Sequence, residues 1–149
     1  MLKSKRFQPI QEIAASSAHH LSRAMADAGL KVTELERQFG QLETYRDEYT
    51  RKSVTGGAID AVRFQNTRSF LDRLGEALRQ NRKNLAVART EYEKRRSAWS
   101  DKRVEAESLS RVVDRCRQQE RQAADEREQR ELDERASRAH YLARDLLFP

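Results

Sequence analysis

A single cysteine, Cys116, cannot form a disulfide within the chain, so the staples of small secreted folds are excluded and a reducing compartment is expected. Breakers are almost as scarce: two prolines and five glycines in 149 residues. That excludes a fold of many short elements joined by turns. No apolar run approaches the roughly 20 residues that cross a bilayer. Lys3, Lys5 and Arg6 have no apolar segment behind them, so no cleavable signal is expected either. The reading is a protein that stays in the cytoplasm. Aromatic residues make up 7% of the chain, and the apolar 37% is spread evenly, too thin for a thick core.

What the chain has in abundance is charge, 36% of all residues, in a helix-forming vocabulary. Such composition belongs to long helices and coiled coils. The net charge of +6 is uneven, and most of the excess lies between Arg79 and Arg103, with Lys94, Arg95 and Arg96 adjacent. That stretch is either a surface for an acidic partner or a solvated helix face.

Hydrophobic periodicity settles the fold class as all-α. Ala14, Leu21, Ala28, Leu35, Leu42 and Tyr49 recur every seven residues, and Ala18, Met25, Val32 and Phe39 run four behind them. Spacings of three and four in alternation make a coiled-coil seam, with the second series at a and the first at d. Later in the chain, a holds Phe64, Leu71, Leu78, Leu85, Tyr92, Trp99, Ala106 and Val113. Leu74, Asn81, Ala88, Arg95, Lys102, Leu109, Cys116 and Ala123 hold d.

Ser53-Val54-Thr55-Gly56-Gly57 lies between the two series and contains the only glycine pair. Glycine accepts the conformations of a helix end and tight reversal, so Gly56 and Gly57 are the expected turn. The expectation is one domain: a basic tail over 1–8, helix one over 9–52 with Pro9 in its opening turn, a turn over 53–57, and helix two over 58–147. In an antiparallel pair each a layer faces a d layer. A turn centred on the glycines then pairs Leu42 with Leu71, Leu35 with Leu78, Ala28 with Leu85, Leu21 with Tyr92 and Ala14 with Trp99. Phe39 faces Leu74, Val32 faces Asn81 and Met25 faces Ala88. In this register pairing ends near Val104, and a long C-terminal overhang follows, dense in charge from Asp125 to Glu131. A lone helix of that kind is marginal in water. Leu109, Val113 and Cys116 would have no partners within the chain, which makes them candidates for contact with another protein.

Catalytic constellations are missing. No Gly-Lys-Ser/Thr follows Gly56-Gly57 to make a phosphate loop. His19 and His20 sit at outward heptad positions without zinc partners, and His140 stands alone. Carboxylates interleave with arginines and converge on no cleft, and two helices enclose no cavity. No enzyme activity, cofactor, metal or small-molecule substrate is expected. Nucleic acid is not expected either, because acids recur among the basic residues and no aromatic stacking platform exists.

Leu42-Glu43-Thr44-Tyr45-Arg46-Asp47-Glu48-Tyr49, Phe70-Leu71-Asp72-Arg73-Leu74, Trp99 with Lys102-Arg103, and Gln129-Arg130-Glu131-Leu132-Asp133-Glu134 are landmarks in order and spacing. With Arg6-Phe7 at the start, the set resembles the FliJ family of flagellar export proteins over nearly the whole chain. The resemblance implies an antiparallel two-helix coiled coil, similar to the central stalk of rotary ATP synthases, in the cytoplasm at the flagellar base. It implies three partners: the export ATPase ring, the cytoplasmic domain of the membrane export gate, and export chaperones. It places gate binding on Gln38, Leu42, Tyr45 and Tyr49 of helix one and on Phe70, Leu74, Ala77 and Asn81 of helix two. Some relatives carry histidine where Asn81 stands. Gln38, Tyr45, Phe70 and Ala77 are at g, bordering one flank of the seam, while Leu42, Tyr49 and Leu74 are also seam residues. Asn81, polar at d, suits register fixing. Leu109, Val113 and Cys116 would brace the ATPase ring, and the isolated chain would be a monomer. A scaffold coiled coil, or the stalk subunit of a virulence-type secretion system, remains an alternative on spacing alone.

Overall fold

The computed structural model describes residues 2–55 and 61–147. Two helices account for them, α1 (Lys3–Thr55) and α2 (Ala61–Leu147), and among the described residues there is no strand. The chain is an all-α pair of long helices packed against each other. Gly56 and Gly57 of the expected turn lie outside the described residues, and Ser53 to Thr55 belong to α1. Packing divides the chain into two compact units, Ala18–Lys102, and Met1–Ser17 with Arg103–Pro149.

In the Ala18–Lys102 unit the two helices run antiparallel. Partners descend along α2 as residues ascend along α1: Gly29 lies against Tyr92, Phe39 under Arg82, and Tyr49 against Phe70. The exposed pair Glu36–Arg89, 3.1 Å apart, belongs to the same progression. Burial follows the heptads. Leu74, Leu78, Asn81, Leu85 and Ala88 are buried on α2, with Leu71, Tyr92 and Trp99 half-buried. Across from them Ala18 is buried, and Leu21, Met25, Ala28, Val32, Leu35, Phe39 and Leu42 are half-buried. The exceptions are Phe64 and Tyr49 at the turn end and Arg95 farther along α2, all exposed despite their heptad positions.

The expected register is displaced by about one heptad. Tyr92 meets Gly29 instead of Leu21, and Phe39 meets Arg82, next to Asn81, instead of Leu74, while Tyr49 lies against Phe70. A slip of seven residues returns every a layer to a d layer, so both registers bury the same stripes. Size complementarity distinguishes them. The phenol ring of Tyr92 passes so close to Gly29 that a methyl group there would stand 3.3 Å from its Cε2 atom. A slip of seven puts Ala28, beside Gly29, where Leu21 would have faced the ring, so two small residues meet Tyr92.

In the second unit α1 starts at Lys3, not at Pro9, and Pro9 lies inside the helix. The extra turn is held by α2. The Ser4 backbone N–H donates to Glu120 Oε1 at 2.9 Å, and the Ser4 hydroxyl donates to Glu120 Oε2 at 2.6 Å. One turn on, Arg117 donates to Gln8 Oε1 at 3.1 Å. The first N–H groups of a helix have no partners within it and carry partial positive charge, so a carboxylate there is favoured. The first turn of α1 contains no acid of its own. Glu120, from the other helix, supplies the cap.

Pairing therefore reaches Glu120 rather than ending near Val104, and this corrects the reading of the tail. Val113 is only 4% exposed, Ala106 is buried, and Leu109 and Cys116 are half-buried. These residues are not bare. From 121 to 147 every residue of α2 is exposed.

The Ser4 hydroxyl, followed by its backbone N–H, holds the Glu120 carboxyl below the usual carboxylate range. A lowered folded value means that the cap contributes above the ordinary glutamate pKa of about 4.3 and is lost as pH falls through the folded value. Acid should therefore release the first turn of α1. The Ser4 amide shift in NMR should titrate with Glu120, and Glu120→Gln should abolish that titration. A Ser4 amide that still titrates in Glu120→Gln would mean that another group controls the turn.

Candidate docking flank

The eight residues proposed for partner binding divide by depth. Leu74 and Asn81 are buried in the seam, each 9% exposed, and Leu42 is half-buried beside them. Gln38, Tyr45, Tyr49, Phe70 and Ala77 are exposed. Seam periodicity on both helices is what positions them, because g residues border the core while a and d residues fill it.

Tyr49 and Phe70 come together across the two helices, ring centroids 4.4 Å apart and planes tilted by 44°. Each remains 39% exposed. An aromatic pair of this geometry supports packing beyond its buried area, yet both residues stay partly open to solvent. Tyr45 is elsewhere on α1. Its ring, 60% exposed, borders a shallow surface groove with Arg37, Gly40, Gln41, Thr44 and Glu48. Gly40 keeps that groove open, since a Cβ there would meet nothing within 4 Å. The Thr44 hydroxyl turns back to the Gly40 carbonyl at 2.9 Å and leaves the groove clear. Gln38 Nε2 donates to Glu34 Oε1 at 3.3 Å. Glu34 itself is bound by Arg37 at 2.6 Å, and the Arg37 guanidinium lowers its pKa.

Asn81 stands apart because its Oδ1 atom is buried with no hydrogen-bond partner in the protein. A buried carbonyl oxygen without a donor is costly, so its presence calls for a compensating role. Its neighbour Arg82 lies over the Phe39 ring, 5.5 Å from the centroid.

Sequence reasoning missed two features. Glu120 continues the a series after Val113, the one hint in the sequence that the seam extends to it. The Gly40 groove has a weaker signal, a glycine in an otherwise unbroken helical pattern. Among the described residues, no group of three or more His, Cys, Asp or Glu could hold a metal ion, and no helix is long and apolar enough to cross a membrane.

No curated protein and no solved structure matches the chain. The family model described as "Flagellar FliJ protein" matches residues 3–145. That span takes in both helices, the aromatic flank and nearly all of the exposed tail. The chain therefore belongs to the flagellar FliJ family and is a component of flagellar protein export.

Proposed function

We propose that this chain is a non-catalytic coiled-coil stalk of the flagellar type III export apparatus, working in the cytoplasm against the inner membrane by holding other proteins. Its partners are the export ATPase ring, the cytoplasmic domain of the export gate, and export chaperones. The observation that carries the gate contact is the Tyr49–Phe70 pair, two aromatic rings in tilted contact across the helices and each still 39% exposed. Aromatic residues that are rigid yet exposed are the usual anchors of protein interfaces. Tyr45 and its groove extend the same surface along α1, with Gln38 and Ala77 at its border. Leu42, Leu74 and Asn81 support it from the seam. Contact with the ATPase ring through Leu109, Val113 and Cys116 is set aside, because α1 already covers that stretch.

The test is a pair of truncations. Tyr45→Ala and Phe70→Ala should each weaken affinity for the gate's cytoplasmic domain about tenfold, ~1.4 kcal/mol. Thermal unfolding should move less than for a buried seam leucine, because Tyr45 is 60% and Phe70 39% exposed while Leu74, Leu78 and Leu85 are 9% or less. Parental affinity in both variants would remove the flank from the interface. A large fall in melting temperature would make it packing.

A further inference from the structure

The basic excess between Arg79 and Arg103 has no place in the docking flank, which borders the g rows. Arg82, Arg89, Arg96 and Arg103 occupy e in four consecutive heptads of α2. In an antiparallel pair the e rows border the side of the seam opposite the g rows. The Glu36–Arg89 bridge joins e to e across that side. Arg82, Arg89 and Arg96 lie in the Ala18–Lys102 unit, and all three are exposed. A heptad is about 10 Å of helix, so they form a row of guanidinium groups at that interval.

Only one member of the row has a carboxylate from α1. Glu36 meets Arg89 at 3.1 Å. One heptad toward Tyr49, Glu43 is level with Arg82 but keeps to Arg46 of its own helix, at 4.0 Å. Arg82 lies over the Phe39 ring instead, 5.5 Å from its centroid, and no carboxylate reaches it among the described residues. One heptad the other way, Gly29 is level with Arg96 and has no side chain to offer. Arg96 has Glu93 of its own helix at 3.9 Å. Residues at e ordinarily meet opposite charge across the seam, and here α1 leaves two of the three arginines without it.

We propose that this row holds an acidic helix of another protein, laid along the e side of the seam with a carboxylate in every heptad. The intervals match, because residues seven apart rise by the same ~10 Å on both helices. Arginine is always charged and takes a carboxylate through two parallel N–H bonds, which suits a fixed row better than lysine would. Phe39 steadies Arg82 by a cation–π contact that uses none of its N–H donors. The acids nearby select the class of partner. Glu36 and Glu93 stand among the arginines and repel a continuous polyanion such as a nucleic acid strand, with its closely spaced phosphates. A helix whose carboxylates are one heptad apart passes them with uncharged residues. Such a helix leaves the g flank open, so the inference is independent of gate binding and goes beyond it.

The probe is a synthetic helical peptide of about four heptads, long enough to hold helix, with glutamate at one fixed position of each heptad. Titrated into the full chain at low salt, it should bind with a dissociation constant of about 10–100 μM and weaken as salt rises. The same peptide with glutamine in place of glutamate should bind at least about tenfold more weakly. Arg82→Gln and Arg96→Gln together should cost a similar factor. Lys83→Gln with Lys94→Gln makes the same charge change on the outer rows of α2 and should leave affinity within about twofold. All four positions are exposed, so helical circular dichroism and melting should stay close to parental. Absence of binding by the glutamate peptide overturns the inference, and so does equal binding by the glutamine peptide. Equal losses from the lysine pair and the arginine pair would report net charge rather than the row, which overturns it too. Tighter binding of oligouridylate RNA of the same charge would assign the row to nucleic acid instead.

Discussion

Leu78→Ala is expected to lower the unfolding free energy by about 3 kcal/mol. Leu78 is 4% exposed, and Leu85 one heptad later is nearly as deep at 6%. Removing three carbons there forfeits their transfer from water and leaves a void that neighbours fill only in part. Two helices form a thinner wall than a globular core, so partial collapse keeps the value toward the lower half of the usual range. Leu35, half-buried on α1, should lose noticeably less when truncated. Urea denaturation of Leu78→Ala and Leu35→Ala side by side checks both. If the two lose equally, the depth difference between the helices does not govern stability.

Asn81→Leu should move stability the other way, by about 2–3 kcal/mol in favour of the folded chain. Its Oδ1 oxygen is buried without a donor, a penalty that leucine removes while adding apolar burial. The gain should come with a loss of definition. Registers one heptad apart bury the same stripes, and a single polar seam residue is the device that tells such registers apart. Cysteines placed at Gly29 and Tyr92 should crosslink cleanly in the parent with Cys116→Ala. In the Asn81→Leu background the same pair should share its yield with crosslinks one heptad away. A more stable variant with a single register would show that Asn81 does not choose it. A less stable one would mean that its oxygen has a partner in solution.

Most of the fold is legible in the sequence. The stripes from Ala14 to Leu42 and from Leu71 to Val113 follow from apolar spacing alone, and burial follows them closely. Register was not legible, and the reason is the symmetry of the heptad itself. Shifting Tyr92 from Leu21 to Gly29 changes which sizes meet but not which residues are buried. The start of α1 was hidden for a different reason. Nothing local to Lys3-Ser4-Lys5 caps a helix, and the group that does is Glu120. The docking flank was half legible. Exposure of Tyr45 and Phe70 follows from their g positions, but the contact of Phe70 with Tyr49 depends on the register and could not be read beforehand.

The cap that joins Ser4 to Glu120 spans 116 residues of sequence, and this fixes an order of assembly. A chain made from its N-terminus must wait until most of its length has been synthesised before its own first turn can be finished. Until then the start of α1 has unsatisfied N–H groups and no carboxylate to take them. Pairing that begins at the Tyr49–Phe70 end closes the smaller loop and meets the lower entropy cost, so the Ser4 cap is expected to form after it. The oldest residues on the ribosome are thus the last to be secured. They are also the first to open when the closed pair begins to come apart.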